Sequence, residues 1–123
     1  MQRKVAGLVL LCLAMFGAAP IAGAGDMTWP IENRAPYEVE VQFYSRDRDA
    51  MWPGNNRVWY VRPGQMIHPT LACRDGEYIC YGAWPTGNST TFWGVGRGGR
   101  QGCSSCCYNC VHGTVSGHNL NPY

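Results

Sequence analysis

Tyr37-Glu38-Val39-Glu40-Val41-Gln42-Phe43-Tyr44 decides the fold class of this chain. Tyr37, Val39, Val41 and Phe43 share one side of an extended backbone, and Glu38, Glu40 and Gln42 share the other. Successive strand side chains point to opposite faces, so this period of two builds one buried and one wet face. That is the pattern of an antiparallel sheet.

The same period extends outward in both directions. Residues 57–61, 66–73, 78–84 and 90–95 are rich in β-formers and are separated by Gly, Pro and Asn, with a weaker strand over 28–33 because of Pro30. Pro69 has no amide hydrogen to give to a ladder, which places 66–73 at an edge or a bulge. Arg62-Pro63-Gly64-Gln65 suits a type II turn, with Pro fixing the second position and Gly tolerating positive φ at the third. Residues 45–56 read as a polar loop, and no stretch has the 3.6 period of a helix. Five to six short strands at this spacing predict an all-β fold, a small antiparallel β-sandwich or open barrel with a disulfide-rich C-terminal segment.

Residues 1–24 read as a secretory signal peptide. Arg3 and Lys4 precede an apolar run from Val5 to Ala19, then Pro20 and the small residues Ala22, Gly23 and Ala24. The run is about fifteen residues long, short of the roughly 20 that a transmembrane helix needs. With cleavage after Ala24, residues 25–123 form a single domain at a secreted or periplasmic location. Removing Arg3 and Lys4 from ten basic residues leaves eight arginines against eight acids, a mature chain with no net charge. That balance gives no electrostatic reason to expect nucleic acid or, after signal cleavage, a membrane as partner.

Six of the seven cysteines remain in the mature chain: Cys73, Cys80, Cys103, Cys106, Cys107 and Cys110. An even count in a short exported chain predicts a disulfide framework, which a core of this size needs. Cys73-Arg-Asp-Gly-Glu-Tyr-Ile-Cys80 reads as a hairpin stapled by Cys73–Cys80, with long-range pairing to 103–110 as the alternative. Cys103-Ser-Ser-Cys106-Cys107-Tyr-Asn-Cys110 would then close as 103–106 with 107–110, or 103–107 with 106–110. The competing reading is a metal site, with Cys103, Cys106, Cys107, Cys110 and His112 as ligands. A third is thiol–disulfide chemistry, which wants a helix N-terminus or a cation beside the thiolate; Arg97 and Arg100 are the cations at hand.

Gly94-Val-Gly96-Arg-Gly-Gly99 has the spacing of a dinucleotide loop but no helix pattern after it. Residues 96–102 are therefore expected to be a mobile glycine-rich loop, and 111–123 a short strand with a frayed tail. Five tryptophans and seven tyrosines supply the large apolar groups of the core, because Leu and Ile are scarce. Trp52 and Trp84 lie beside prolines, and with Arg97 and Arg100 they are the expected binding surface. No nucleophile elbow or paired carboxylate marks a catalytic site, and no cofactor is implied. Asn88-Ser89-Thr90 matches a glycosylation acceptor. The leading expectation is an exported, non-enzymatic binding or structural protein whose partner is a protein or a glycan.

Overall fold

The computed structural model describes residues 25–123; the signal-peptide reading of 1–24 lies outside them. The described residues are nearly all β, in twelve short strands: β1 Gly25–Thr28, β2 Ile31–Asn33, β3 Val39–Ser45, β4 Met51–Trp52, β5 Trp59–Val61, β6 Met66–Ile67, β7 Thr70–Cys73, β8 Tyr78–Pro85, β9 Trp93–Gly94, β10 Cys107–Asn109, β11 Gly113–Thr114 and β12 His118–Leu120. A single 3₁₀ turn, Arg97–Gly99, lies between β9 and β10.

The architecture is a small sandwich. One layer is a six-stranded sheet centred on β3 and β8, which pair from Val39↔Pro85 to Ser45↔Ile79; β10 and β9 join β8, and β4 and β5 join β3. The other layer is a bent ribbon. Its lower half is β11-β1-β7 and its upper half β12-β2-β6. The two halves continue into one another through Trp29 N→Pro69 O, Val115 N→Thr28 O and His118 N→Pro30 O. Pro30 and Pro69 stand where the ribbon breaks, as expected of residues that cannot donate to a ladder. Pairing is antiparallel except where β11 and β12 run parallel to β1 and β2.

The core fills the space between the layers. Val39, Val41, Phe43, Ile79, Tyr81 and Ala83 from the central sheet meet Met27, Trp29, Ile31, Leu71 and Leu120 from the ribbon. Trp29 is fully buried and packs against Phe43 at 4.9 Å and Tyr108 at 5.0 Å between ring centroids. Asn33 is also fully buried, and its side chain is satisfied by donating to Tyr37 O and Val61 O and accepting from Ala35 N. The turn at 62–65 closes by Gln65 N→Arg62 O with Gly64 at φ 77°, as its sequence requires.

Three expectations are corrected. The Cys73–Cys80 staple does not form: the bonds are Cys73–Cys110, Cys80–Cys107 and Cys103–Cys106. The reason is topological. β7 pairs with β1 in the ribbon while β8 pairs with β3 in the central sheet, so residues 74–77 form a corner between layers and not a hairpin. Of the pairings weighed within 103–110, only 103–106 is present.

Residues 96–102 are also packed, not mobile: Val95 N→Tyr81 O and Gly98 N→Tyr44 Oη tie the segment to the central sheet, and Gly99 N→Gly96 O and Gln101 N→Val95 O fold it on itself. The tail is tied down as well, through β12, Arg34 N→Leu120 O and Trp93 Nε1→Asn121 O.

Candidate functional site

The wet face of the central sheet is where the chain departs furthest from simple alternation. Glu40, Gln42 and Tyr44 face outward from β3, opposite Trp84, Gly82 and Cys80 of β8. Yet Gln42, Tyr44, Cys80 and Trp84 are all buried. Their cover is the glycine loop. A methyl group at Gly82 would run into the Gly96 carbonyl, and one at Gly94 into the Tyr81 carbonyl. A Cβ at Gly99 would stand 3.1 Å from the Tyr44 ring. The glycines are needed here because backbone lies directly on backbone and ring, several of them at positive φ.

A line of hydrogen bonds crosses this face. Gly98 N donates to the Tyr44 hydroxyl at 2.8 Å, the hydroxyl donates to Gln42 Oε1 at 2.6 Å, and Gln42 Nε2 donates to Arg57 O at 2.7 Å. Burial pushes the Tyr44 phenol up to about 12, although the Gly98 and Gly99 amides and Arg97 pull the other way. It is a fixed neutral hydroxyl that joins β3, the glycine loop and the turn before β5.

Beside this belt opens a groove of about 1080 Å³. Arg46, Arg48, Arg57, Arg97 and Arg100 line it, against the carboxylates of Glu40 and Asp49. Five of the eight arginines of residues 25–123 thus gather on one concavity with two of the eight acids, a formal surplus of three positive charges. Arg48 is neutralised by Glu77, which it meets at 2.6 Å through Nε. Among the described residues the only other salt bridge is Arg34–Glu32, outside the groove, so Arg46, Arg57, Arg97 and Arg100 carry no ion pair. Each of these four is exposed. Arg46 Nη1 donates to Gly99 O at 3.1 Å, and Arg97 lies 5.9 Å over the Trp84 ring, so neighbouring groups already orient the two guanidiniums.

The sequence-chosen surface splits. Arg97 and Arg100 do line the groove. Trp84 also borders it but presents almost no surface: it is 2% exposed, lies under Arg97, and its Nε1 donates to Glu40 Oε1. Trp52 is half-buried under Arg48, with Nε1 donating to Ala72 O, and it stands outside the groove. The aromatic that does project is Tyr60, 58% exposed on the groove wall. Nothing local marks Arg46, Arg57 and Tyr60 for this groove, because loop arginines and a strand tyrosine look the same in sequence whether they face a concavity or open water. The available signal was compositional: eight arginines and no lysine beyond residue 24. Asn88 is exposed, its Oδ1 accepting from Thr90, and Ser89 sits on the groove lip.

The cysteine cluster carries a different arrangement. Cys107 and Cys110 reach back to Cys80 and Cys73, so the four sulfurs weighed as metal ligands are consumed in three separate disulfides, and His112 is exposed. Among the described residues no three His, Cys, Asp or Glu side chains are grouped to hold a metal ion.

His118, in the C-terminal segment, is half-buried and held on several sides. Trp29 Nε1 donates to its Nδ1 at 3.0 Å, its Nε2 donates to Ser105 O at 3.1 Å, and Tyr81 stacks at 4.4 Å. Burial lowers its pKa, so the imidazole is a neutral pin between the core and the 103–106 loop.

No protein family matches the chain, and no curated protein or solved structure is similar to it.

Proposed function

We propose that this chain is a small exported binding domain, and not an enzyme, whose partner seats in the arginine-lined groove on the outer face of the central sheet. The observation that carries the reading is charge segregation. A mature chain with no net charge collects most of its arginines around one concavity and leaves four of them exposed and without an ion pair among the described residues. Keeping like charges together is electrostatically unfavourable in the free protein, and a ligand that neutralises them removes that cost.

The three disulfides point to an oxidising, extracellular-type environment, and with the leader at 1–24 they support a secreted or periplasmic location. No helix among the described residues is long and apolar enough to cross a membrane. Glycan and peptide arrays probed with oxidised 25–123, and repeated with an Arg97→Gln/Arg100→Gln variant, test the proposal. Capture by the parent chain and loss by the variant is the expected result; equal capture by both would remove the groove from the function.

A thiol–disulfide reading has one observation behind it. Cys103–Cys106 closes a Cys-x-x-Cys loop, and Cys103 is only half-buried. Intact mass with thiol titration on protein from its native compartment separates the two: six half-cystines and no free thiol support the binding domain, and one reduced pair at 103–106 supports redox chemistry.

A further inference from the structure

We infer that the groove takes an acidic oligosaccharide, a chain of sugar rings bearing carboxylate or sulfate groups. The inference rests on the groove being the binding site and names the class of ligand it selects. The charge comes first. A guanidinium offers a planar fork of donors that matches a carboxylate or sulfate in two parallel hydrogen bonds. Arg46, Arg57, Arg97 and Arg100 present such forks from three separate segments: the loop after β3, the turn before β5, and the 3₁₀ turn. Four cations distributed around the walls suit several anionic groups spaced along a ligand better than one ion. A volume of about 1080 Å³ likewise exceeds what a single small anion fills.

The floor and walls then favour sugar. Gln101, exposed on the groove, supplies an amide group among the arginines, and the exposed Tyr60 ring offers an apolar face flanked by polar groups, the surface on which a pyranose ring packs. An extended peptide is disfavoured because the floor is the face of β3 and not an edge. β3 pairs with β8 along its whole length and with β4 and β5 on its other side, which leaves little free backbone for strand addition.

The test titrates oxidised, ¹⁵N-labelled 25–123 with five probes. They are hexagalacturonate, its fully methyl-esterified form, a heparin-derived hexasaccharide, hexaglutamate and a six-residue oligothymidylate. The expected result is that one or both acidic hexasaccharides shift the amide resonances of Arg46, Arg57, Gly98 and Gln101, and the methyl ester does not. Which of the two binds separates carboxylate from sulfate. Arg97→Gln/Arg100→Gln should weaken that binding by about tenfold or more, from the loss of charge-assisted hydrogen bonds. Arg62→Gln, at an exposed site outside the groove, should leave it unchanged, and unperturbed resonances from the core show that each variant is folded.

Equal shifts from the methyl ester would overturn the anionic requirement while leaving the groove as the site. Tighter binding of hexaglutamate or the oligothymidylate at the same resonances would overturn the sugar and again keep the groove. Acidic sugars that shift resonances only elsewhere, or five probes that shift none in the groove, would overturn the groove reading itself.

Discussion

The two faces of the central sheet are both covered, but by opposite means. On the inner face Val39, Val41, Phe43, Tyr81 and Ala83 are buried by side chains, above all Trp29, whose ring touches Phe43, Tyr108 and His118. On the outer face Tyr44 and Gly82 are covered mainly by backbone, because residues 94–101 carry glycine where they approach, with Val95 the one buried side chain that this segment adds against Tyr44 and Cys80. Side chains exclude water completely and yield a core. A glycine loop excludes it locally, brings amides and arginines close to the sheet, and leaves a groove beside them. Stability belongs to the first face, and the binding proposed above to the second.

That division can be broken from either side. Trp29→Ala should be the most damaging single change, at about 3–5 kcal/mol for loss of a large buried aromatic. A marginally stable domain would lose most of its folded population, read as a drop in the denaturation midpoint with the three disulfides intact. Removing the Cys73–Cys110 bond, which joins residues 37 apart within the core, should cost about 4 kcal/mol in the chain-entropy model. Removing Cys103–Cys106, with a separation of 3, should cost only about 2 kcal/mol. Denaturant titration of the two double serine variants checks the ranking. A larger loss at 103–106 would show that this loop supports more of the fold than its length accounts for.

Gly82→Ala probes the outer face alone. The added methyl meets the Gly96 carbonyl, so the glycine loop must lift, at about 1–3 kcal/mol. Amide exchange should rise at Val95, Gly98 and Gln101 while Val41 and Phe43 stay protected. Loss of protection on both faces would mean that the two are one cooperative unit.

Acid should produce the smallest and most graded effect. The folded pKa of His118 is lowered by burial, so its contribution is full above the ordinary imidazole value and falls as pH drops below about 6.5. Burial would raise the Glu77 carboxyl, but Arg48, the Arg74 amide and Ser45 outweigh it and hold the group at about 2. Its contribution is therefore present above the ordinary carboxylate value of 4.5 and is lost as pH falls toward about 2. Thermal midpoints measured between pH 8 and 2 should step down in that order. His118→Gln should flatten the first step, and Glu77→Gln should flatten the second.

Much of the fold could be read from local chemistry. The alternation of 37–44 put Val39, Val41 and Phe43 inward, the Pro-Gly pair at 63–64 made its turn, and Pro30 and Pro69 interrupted their strands. The site was far less legible. Of the residues expected there, Arg97, Arg100 and Trp84 line the groove, Trp84 as a buried ring beneath Arg97, and Trp52 stands outside it. A tryptophan beside a proline carries no local sign of what will be laid over it.

The sequence by itself determined that residues 25–123 form β-strands, that these enclose an aromatic-rich core, and that six cysteines are available to staple it, because strand period, turn chemistry and residue counts are local or additive quantities. Only the tertiary structure decided which cysteines pair, that the glycine loop lies down on the sheet, and that residues 25–123, with eight arginines against eight acids, have a cationic groove. These depend on which distant segments become neighbours. β7 and β8 are consecutive in sequence but enter different layers, so Cys73 and Cys80 each find a partner beyond residue 106 and not one another.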